Sequence, residues 1–282
     1  MSISIQNASV HYGDVVAVDG VSVEVDAGEI VALLGPSGCG KSSLLRAVAG
    51  LEPLVGGSIA IAGTDMSGVP VHERNVGMVF QDGALFAHHT VGGNIAYGLR
   101  AHKWNRADAD RRVTELLELV GLAGMADRDV ATLSGGQAQR VALARSLAPQ
   151  PAVLLLDEPL SALDRRLRER LPGDLRSILR AAGVTALYVT HDHAEAFSVA
   201  DRVGIMDAGR LLTLATPRDL VMGDQSTAVR EFLDSAPVIS ASKVGAGHEP
   251  GLVRVRVEGT VEIEGEWDED SADVQIVPVR WT

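Results

Sequence analysis

Cysteine is almost missing: Cys39 stands alone among 282 residues, so no internal disulfide can form and nothing calls for an oxidising compartment. Aromatic residues make up only 4%, so the interior has to be aliphatic, and 30 glycines imply frequent tight turns, which favours α/β layering. Positive charge is in deficit. Twenty-five Lys and Arg face 37 Asp and Glu, a formal net charge of −12, which argues against a large sequence-independent nucleic-acid surface and leaves only a local basic patch open. Long apolar runs are missing too: no stretch approaches the ~18 residues that a membrane-spanning helix needs. The opening MSISIQN carries no basic n-region followed by an apolar stretch. The expectation is a cytosolic chain, soluble by itself, whose membrane-spanning partner, if it serves a membrane process, is another polypeptide.

What is present reads as alternating strands and helices. Ile3 and Ile5, then Val21, Val23 and Val25, alternate with polar residues as strands with one exposed face do. Glu29 to Gly35, EIVALLG, is continuously apolar, as a strand buried on both faces is, and runs through GPSGCGKS into the short helical pattern SLLRAVAG. Between Asn105 and Gly121, Val113, Leu116, Leu117 and Val120 recur at helical spacing. Pro151–Pro159 (PAVLLLDEP) and Val184–Asp192 (VTALYVTHD) read as buried strands with a helix from about Asp164 to Arg180 between them, which implies a parallel sheet. Pro172 and Gly173 interrupt that helix and predict a kink or break, since an internal proline costs about 3 kcal/mol. A Thr-Pro pair at Thr216 opens another helix, and Val229, Phe232 and Leu233 form the apolar face of the next. Beyond about Ala236, strict alternation in LVRVRVEGTVEIEGEWDED predicts a small β appendage, too short to be stable without docking.

The chemistry concentrates in two places. Gly35-Pro36-Ser37-Gly38-Cys39-Gly40-Lys41-Ser42 fits G-x-x-x-x-G-K-[ST] between a buried strand and a helix. Glycines let backbone N–H groups curl around a polyphosphate, the helix N-terminus adds a positive dipole end, Lys41 reaches the β/γ-phosphates and Ser42 can ligate Mg²⁺. Asp157, emerging from VLLLDEP, can hold the same ion, and Glu158 beside it is the candidate general base for water. Cys39 contributes its backbone there and its thiol has no catalytic duty, which makes it a probe of the loop. His191 and His193 form an alternating pair, but no third metal ligand accompanies them. Asn7-Ala8-Ser9 fits a glycosylation sequon that a cytosolic chain would not use.

Leu133–Gln137, LSGGQ, continuing as AQRVALARSLA, resembles the signature motif of the ATP-binding cassette (ABC) family. The likeness covers residues 1 to 235 and includes, in order, Tyr12, GPSGCGKS, Gln81 in VFQD, LSGGQ, LLLDEP, SALD ending at Asp164, and His191 in VTHD. It implies an α/β fold of the P-loop NTPase class, the ABC nucleotide-binding domain, with a parallel core sheet, an N-terminal antiparallel β subdomain and a helical signature subdomain at about 85–147. Residues 236–282 would be a small C-terminal, TOBE-like β segment, shorter than the two-lobed domain of many relatives. The resemblance also implies roles. Tyr12 stacks on adenine; Gly35 to Ser42, with Ser43, hold the phosphates; Ser42, Gln81 and Asp157 serve Mg²⁺; and Lys41, Gln81, Glu158 and His191 form the catalytic set. Ser134, Gly135, Gly136 and Gln137 close over the nucleotide of the opposite protomer, with Asp164 at the seam, so hydrolysis of ATP requires a homodimer.

Within the family, VHERNVGMVFQDGALFAHHTVGGNIAYGL and SLAPQPAVLLLDEPLSALD look like the ATPase subunits of bacterial importers of ferric iron, polyamines, thiamine, sulfate or sugars. NIAYGL and SLAPQP lean toward ferric iron, LFAH toward thiamine. Such a subunit sits on the cytoplasmic face of the membrane under integral permease subunits, fed by an extracytoplasmic solute-binding protein, and the loop with His88 and His89 faces the permease. The rival classes are an exporter ATPase and a non-transport cassette of the DNA-repair or translation type. A single cassette without heptads and the C-terminal appendage argue against them, and no nucleic-acid partner is expected.

Overall fold

The computed structural model describes residues 2–163, 165–223 and 225–234, together with the strand segments 241–246, 252–257 and 261–266. The early alternation forms β1 (Ile3–Tyr12) and β2 (Val15–Val25), an antiparallel pair with Ile3 opposite Val25 and Ile5 opposite Val23. The apolar run forms β3 (Ile30–Leu34), buried at all five positions, and leads to α1 (Lys41–Ala49). The chain then returns through β4 (Gly56–Ile61) and β5 (Thr64–Asp65), completing a four-stranded antiparallel sheet of order β2-β1-β4-β5.

Alternation of strand and helix follows: β6 (Val76–Val79), α2 (Val91–Ala101), α3 (Arg106–Leu119), α4 (Gly135–Leu147), β7 (Val153–Asp157), α5 (Arg165–Ala182), β8 (Thr185–Thr190), α6 (His193–Val199), β9 (Arg202–Asp207), β10 (Arg210–Ala215), α7 (Pro217–Met222) and α8 (Thr227–Asp234). Strands β3, β6, β7, β8 and β9 run parallel, and β10 turns back antiparallel on β9, in the order β10-β9-β3-β8-β7-β6.

The continuous apolar runs are explained by what covers each face. Successive strand side chains point to opposite sides. Ile30, Ala32, Leu34, Leu154, Leu156, Ala186 and Tyr188 therefore enter a core shared with the helices α2 to α8. Their neighbours Val31, Leu33, Val153, Leu155, Leu187 and Val189 enter a second core with α1 and the antiparallel sheet. At about 1.5–3 kcal/mol per fully buried aliphatic side chain, both faces contribute to holding the central strands in register.

Helix boundaries follow local chemistry. Asn105 caps α3 by accepting a hydrogen bond from the Asp108 amide at 2.9 Å, Val113, Leu116 and Leu117 are its buried stripe, and Gly121 follows it at φ +68°. Thr216 caps α7 in the same way, with Pro217 in the first helical position. The break expected at Pro172 does not occur: α5 is unbroken from Arg165 to Ala182. A proline's fixed φ suits a helix, the lost bond is the one to the Arg168 carbonyl, and buried Leu171, Leu175, Ile178 and Leu179 anchor the helix on both sides of the defect. The C-terminal alternation forms β11 (Ala241–Ala246), β12 (Leu252–Val257) and β13 (Val261–Glu266), an antiparallel sheet of order β11-β12-β13. Among the described residues no helix is long and apolar enough to cross a membrane.

Candidate nucleotide site

The loop between β3 and α1 has a conformation that only glycine permits at two points. Gly40 has φ +101°, and a Cβ there would lie 2.1 Å from the Ala17 carbonyl oxygen; one on Gly35 would lie 2.2 Å from that of Met206. Gly35, Cys39 and Gly40 are buried, while Pro36, Ser37 and Gly38 form an exposed crest. Lys41 is only 4% exposed, yet carries its charge into this curve, where Nζ donates to the carbonyl oxygens of Gly35 and Pro36, both at 2.8 Å. Cys39 packs beneath the loop, and burial pushes its thiol pKa up against the opposing pull of the Lys41 ammonium.

At the next residue, Ser42 Oγ donates to Asp157 Oδ1 at 2.6 Å. The pair meets because β3 and β7 both flank β8, so the loop after β3 and the last residue of β7 share one edge of the sheet. Arg46 Nη2 stands 3.7 Å from the other carboxylate oxygen. A hydroxyl beside a carboxylate is a hard oxygen donor set, the kind that suits Mg²⁺. Tyr12 reaches the same helix turn, its exposed ring ending in a hydroxyl that donates to Ser43 Oγ at 3.4 Å.

Glu158 is held in the left-handed region at φ +44°, a conformation that costs a side-chain-bearing residue about 1–2 kcal/mol. Its amide donates to the Val189 carbonyl at 3.0 Å, and Ser161 Oγ donates to the Glu158 carbonyl at 2.8 Å. The turn brings its carboxylate to His191, with Oε2 3.2 Å from Nδ1. Next to them an open cavity of about 720 Å³ is lined by Arg46, Gln81, Phe86, Arg145, Asp157 and Ser161, so exposed Gln81 shares a wall with Asp157.

The signature residues stand apart from this cluster. Ser134 caps α4 in a reciprocal arrangement: its hydroxyl accepts from the Gln137 amide at 3.3 Å, and Gln137 Oε1 accepts from the Ser134 amide at 3.0 Å. Ser134 and Gly135 are exposed, Gly136 is buried, and none of the four hydrogen-bonds to the phosphate loop, Asp157 or Glu158 among the described residues. Asp164 lies outside the described residues. The two histidine pairs have other neighbours: the rings of His88 and His89 gather around Phe86, and His193 stacks on Phe232.

Several residues here were not singled out by sequence. Arg145 sits over the Phe86 ring at 5.0 Å and burial lowers its pKa, while Asn94 is fully buried and bonds the Phe86 backbone through both its oxygen and its nitrogen. Beneath His191, buried Glu195 accepts from Tyr188 Oη at 2.7 Å and Thr190 Oγ1 at 2.8 Å. No pattern marks a glutamate on a short helix as buried; the only hint is its position three residues after Asp192, whose carboxylate accepts from the Glu195 amide.

Comparison with known proteins agrees with this geometry. The family model described as ABC transporter matches residues 18–161. The chain is 50% identical over 245 residues to the Fe(3+) ions import ATP-binding protein of Streptomyces avermitilis, spanning 87% of this chain and 71% of that protein. It is 44% identical over 268 residues to the sulfate/thiosulfate import ATP-binding protein of Nocardia farcinica, spanning 93% and 81%. It is 50% identical over 229 residues to the spermidine/putrescine import ATP-binding protein of Acidothermus cellulolyticus, spanning 81% and 60%. With half of its residues matched by that family model and relatives at 50% identity aligned over most of both chains, the chain belongs to the ABC transporter family.

Proposed function

We propose that this chain is the ATP-hydrolysing motor subunit of a bacterial importer of ferric iron, acting as a homodimer on the cytoplasmic face of the membrane beneath separate permease subunits that receive solute from an extracytoplasmic binding protein. Residues 1–235 would be the ATPase domain and 236–282 its small β appendage. The observation that carries the reading is the 3.2 Å contact between Glu158 and His191 alongside the Ser42–Asp157 pair. Beside the glycine loop, this arrangement supports reading Glu158 as a base, His191 as its orienting partner and the Ser42–Asp157 pair as a hard-oxygen site.

The reaction is ATP and water to ADP and phosphate. As ATP enters, the Lys41 ammonium exchanges its two loop carbonyls for β/γ-phosphate oxygens, and the loop N–H groups take the remaining charge. Mg²⁺ bound by Ser42 and Asp157, with Gln81 nearby, would supply neutralisation of charge on the phosphate oxygens. Glu158 orients a water in line with the γ-phosphate and takes its proton, while His191 fixes the carboxylate and contacts the γ-phosphate. Tyr12 offers its exposed ring to the adenine. Ser134, Gly135 and Gly136 of a second copy close the site from the other side with a hydroxyl and a helix N-terminus, and the Gln137 amide serves by holding Ser134 in place.

Relatives named for Fe(3+) import at 50% and 51% identity favour ferric iron, and those named for sulfate and polyamine import supply the second reading. The test is uptake of labelled ferric iron, sulfate, spermidine and thiamine by cells lacking this chain, complemented with wild type or Glu158→Gln. Loss of ferric-iron uptake, restored by wild type alone, is the expected result. Loss of a different solute would replace the substrate, and full uptake with Glu158→Gln would remove Glu158 from its role.

A further inference from the structure

We infer that the stack of Phe232 on His193 is the mount through which α8 sets the position of His191, making ATP turnover responsive to the placement of α8. The inference rests on the reading of His191 given above.

His193 opens α6 one residue beyond Asp192, which caps that helix and itself follows His191. Its ring lies against Phe232 with centroids 4.8 Å apart and planes at 29°. It also engages the Phe232 backbone, while its Nε2 is buried with no hydrogen-bond partner among the described residues. An apolar side chain would fill this place without burying an unpaired nitrogen. The imidazole is therefore committed to α8 rather than to solvent or to Glu158.

On the inner side the same loop has little freedom. Thr190 Oγ1 accepts from the Asp192 amide at 3.0 Å and donates to Glu195, which Tyr188 Oη also holds. A loop fixed from beneath by this buried network and from outside by one aromatic contact moves as a unit. On α8, Val229 is 1% exposed and inserted in the helical core, with Phe232 and Leu233 packed against that core. A displacement of α8 is thus delivered to His193 and from there to the 3.2 Å contact of His191 with Glu158. Catalytic geometry is sensitive to shifts of about 1 Å. His193 and Phe232 act as positioning residues, since neither touches the reacting atoms.

The test is steady-state ATPase kinetics of the full chain carrying Phe232→Ala, His193→Ala or both, with Phe232→Tyr as the conservative variant. Each single substitution should lower kcat about 3- to 30-fold with KM for ATP within about twofold, because the phosphate loop and Tyr12 are untouched. The double variant should be no worse than the poorer single one, and Phe232→Tyr should recover turnover. Leu220→Ala, a buried truncation on α7 rather than on the helices that carry the stack, controls for lost stability. Where Phe232→Ala does not fold, Phe232→Leu reads the same quantity with the core filled. Wild-type kcat in the ring-deleted variants, a loss equalled by Leu220→Ala, or additive losses would overturn the inference. His191→Ala separates the two readings: if it turns over normally, the role of His191 and the inference both fall, whereas an inactive His191→Ala beside a fully active Phe232→Ala removes the inference alone.

Discussion

Glu195→Ala is the substitution for which the structure predicts a large cost to stability. Tyr188, Thr190 and Glu195 are all at most 3% exposed, and one carboxylate oxygen accepts from both hydroxyls. Truncation leaves two buried donors without an acceptor, at about 1–3 kcal/mol each, or about 2–6 kcal/mol together. The lower half of that range fits best, because Thr190 Oγ1 keeps the Asp192 amide as a partner while Tyr188 Oη keeps none. Set against a total stability of about 5–15 kcal/mol, this is a severe loss. Tyr188→Phe removes a donor instead of an acceptor and should cost about 1.5–3 kcal/mol, the worth of a hydrogen bond to a charged group. Combining the two removes the orphaned hydroxyl, so the double variant should cost less than the sum by about 1–2 kcal/mol. Urea unfolding followed by circular dichroism measures all three. Strict additivity, or a Glu195→Ala midpoint equal to wild type, would refute the argument. Burial also raises the Glu195 pKa above its ordinary 4.5. A raised folded-state pKa means that this group's stabilising contribution is full below about pH 4.5 and is lost as pH rises through the folded value, so the non-titrating Glu195→Gln should flatten that limb of the stability profile.

Three further outcomes are expected. In the proposed role of Lys41, Lys41→Ala removes a charge-assisted partner of the phosphates worth about 1.5–3 kcal/mol, so ATP affinity by calorimetry should fall about 10- to 150-fold; unchanged affinity would mean that Lys41 stays with its loop carbonyls. Cys39 is 5% exposed and its pKa is raised, so maleimide should label the native protein slowly and urea should accelerate labelling; rapid native labelling would show that the loop opens freely, and the thiol is a slower probe than its place in the motif implies. Burial lowers the pKa of His193 below 6.5, so its stabilising contribution holds above that pH and is lost as pH falls through the folded value; His193→Gln should remove this acid-side drop in melting temperature, and an identical drop in the variant would contradict the assignment.

Much of the fold was legible because its signals are contiguous. The apolar runs of β3, β7 and β8 announced strands buried on both faces, the helical spacing between Asn105 and Gly121 located α3, and the Thr-Pro pair at Thr216 marked the start of α7. Pro172 was misleading because a local penalty of about 3 kcal/mol is offset when buried residues on both sides tie the helix to the core. The candidate site divides along the same line. The sequence by itself determined the glycine loop, since backbone curvature, buried lysine and helix terminus are all encoded in eight consecutive residues, of which Gly35 and Gly40 leave no room for a Cβ and Gly38 has φ +82°. Only the tertiary structure decided which distant groups meet it. Ser42 finds Asp157 across 115 residues, Glu158 finds His191 across 33, and Glu195 becomes a buried acceptor under them. Those encounters depend on strand order and on which face of each strand is covered, and strand order is set by packing of the whole chain rather than by any local pattern.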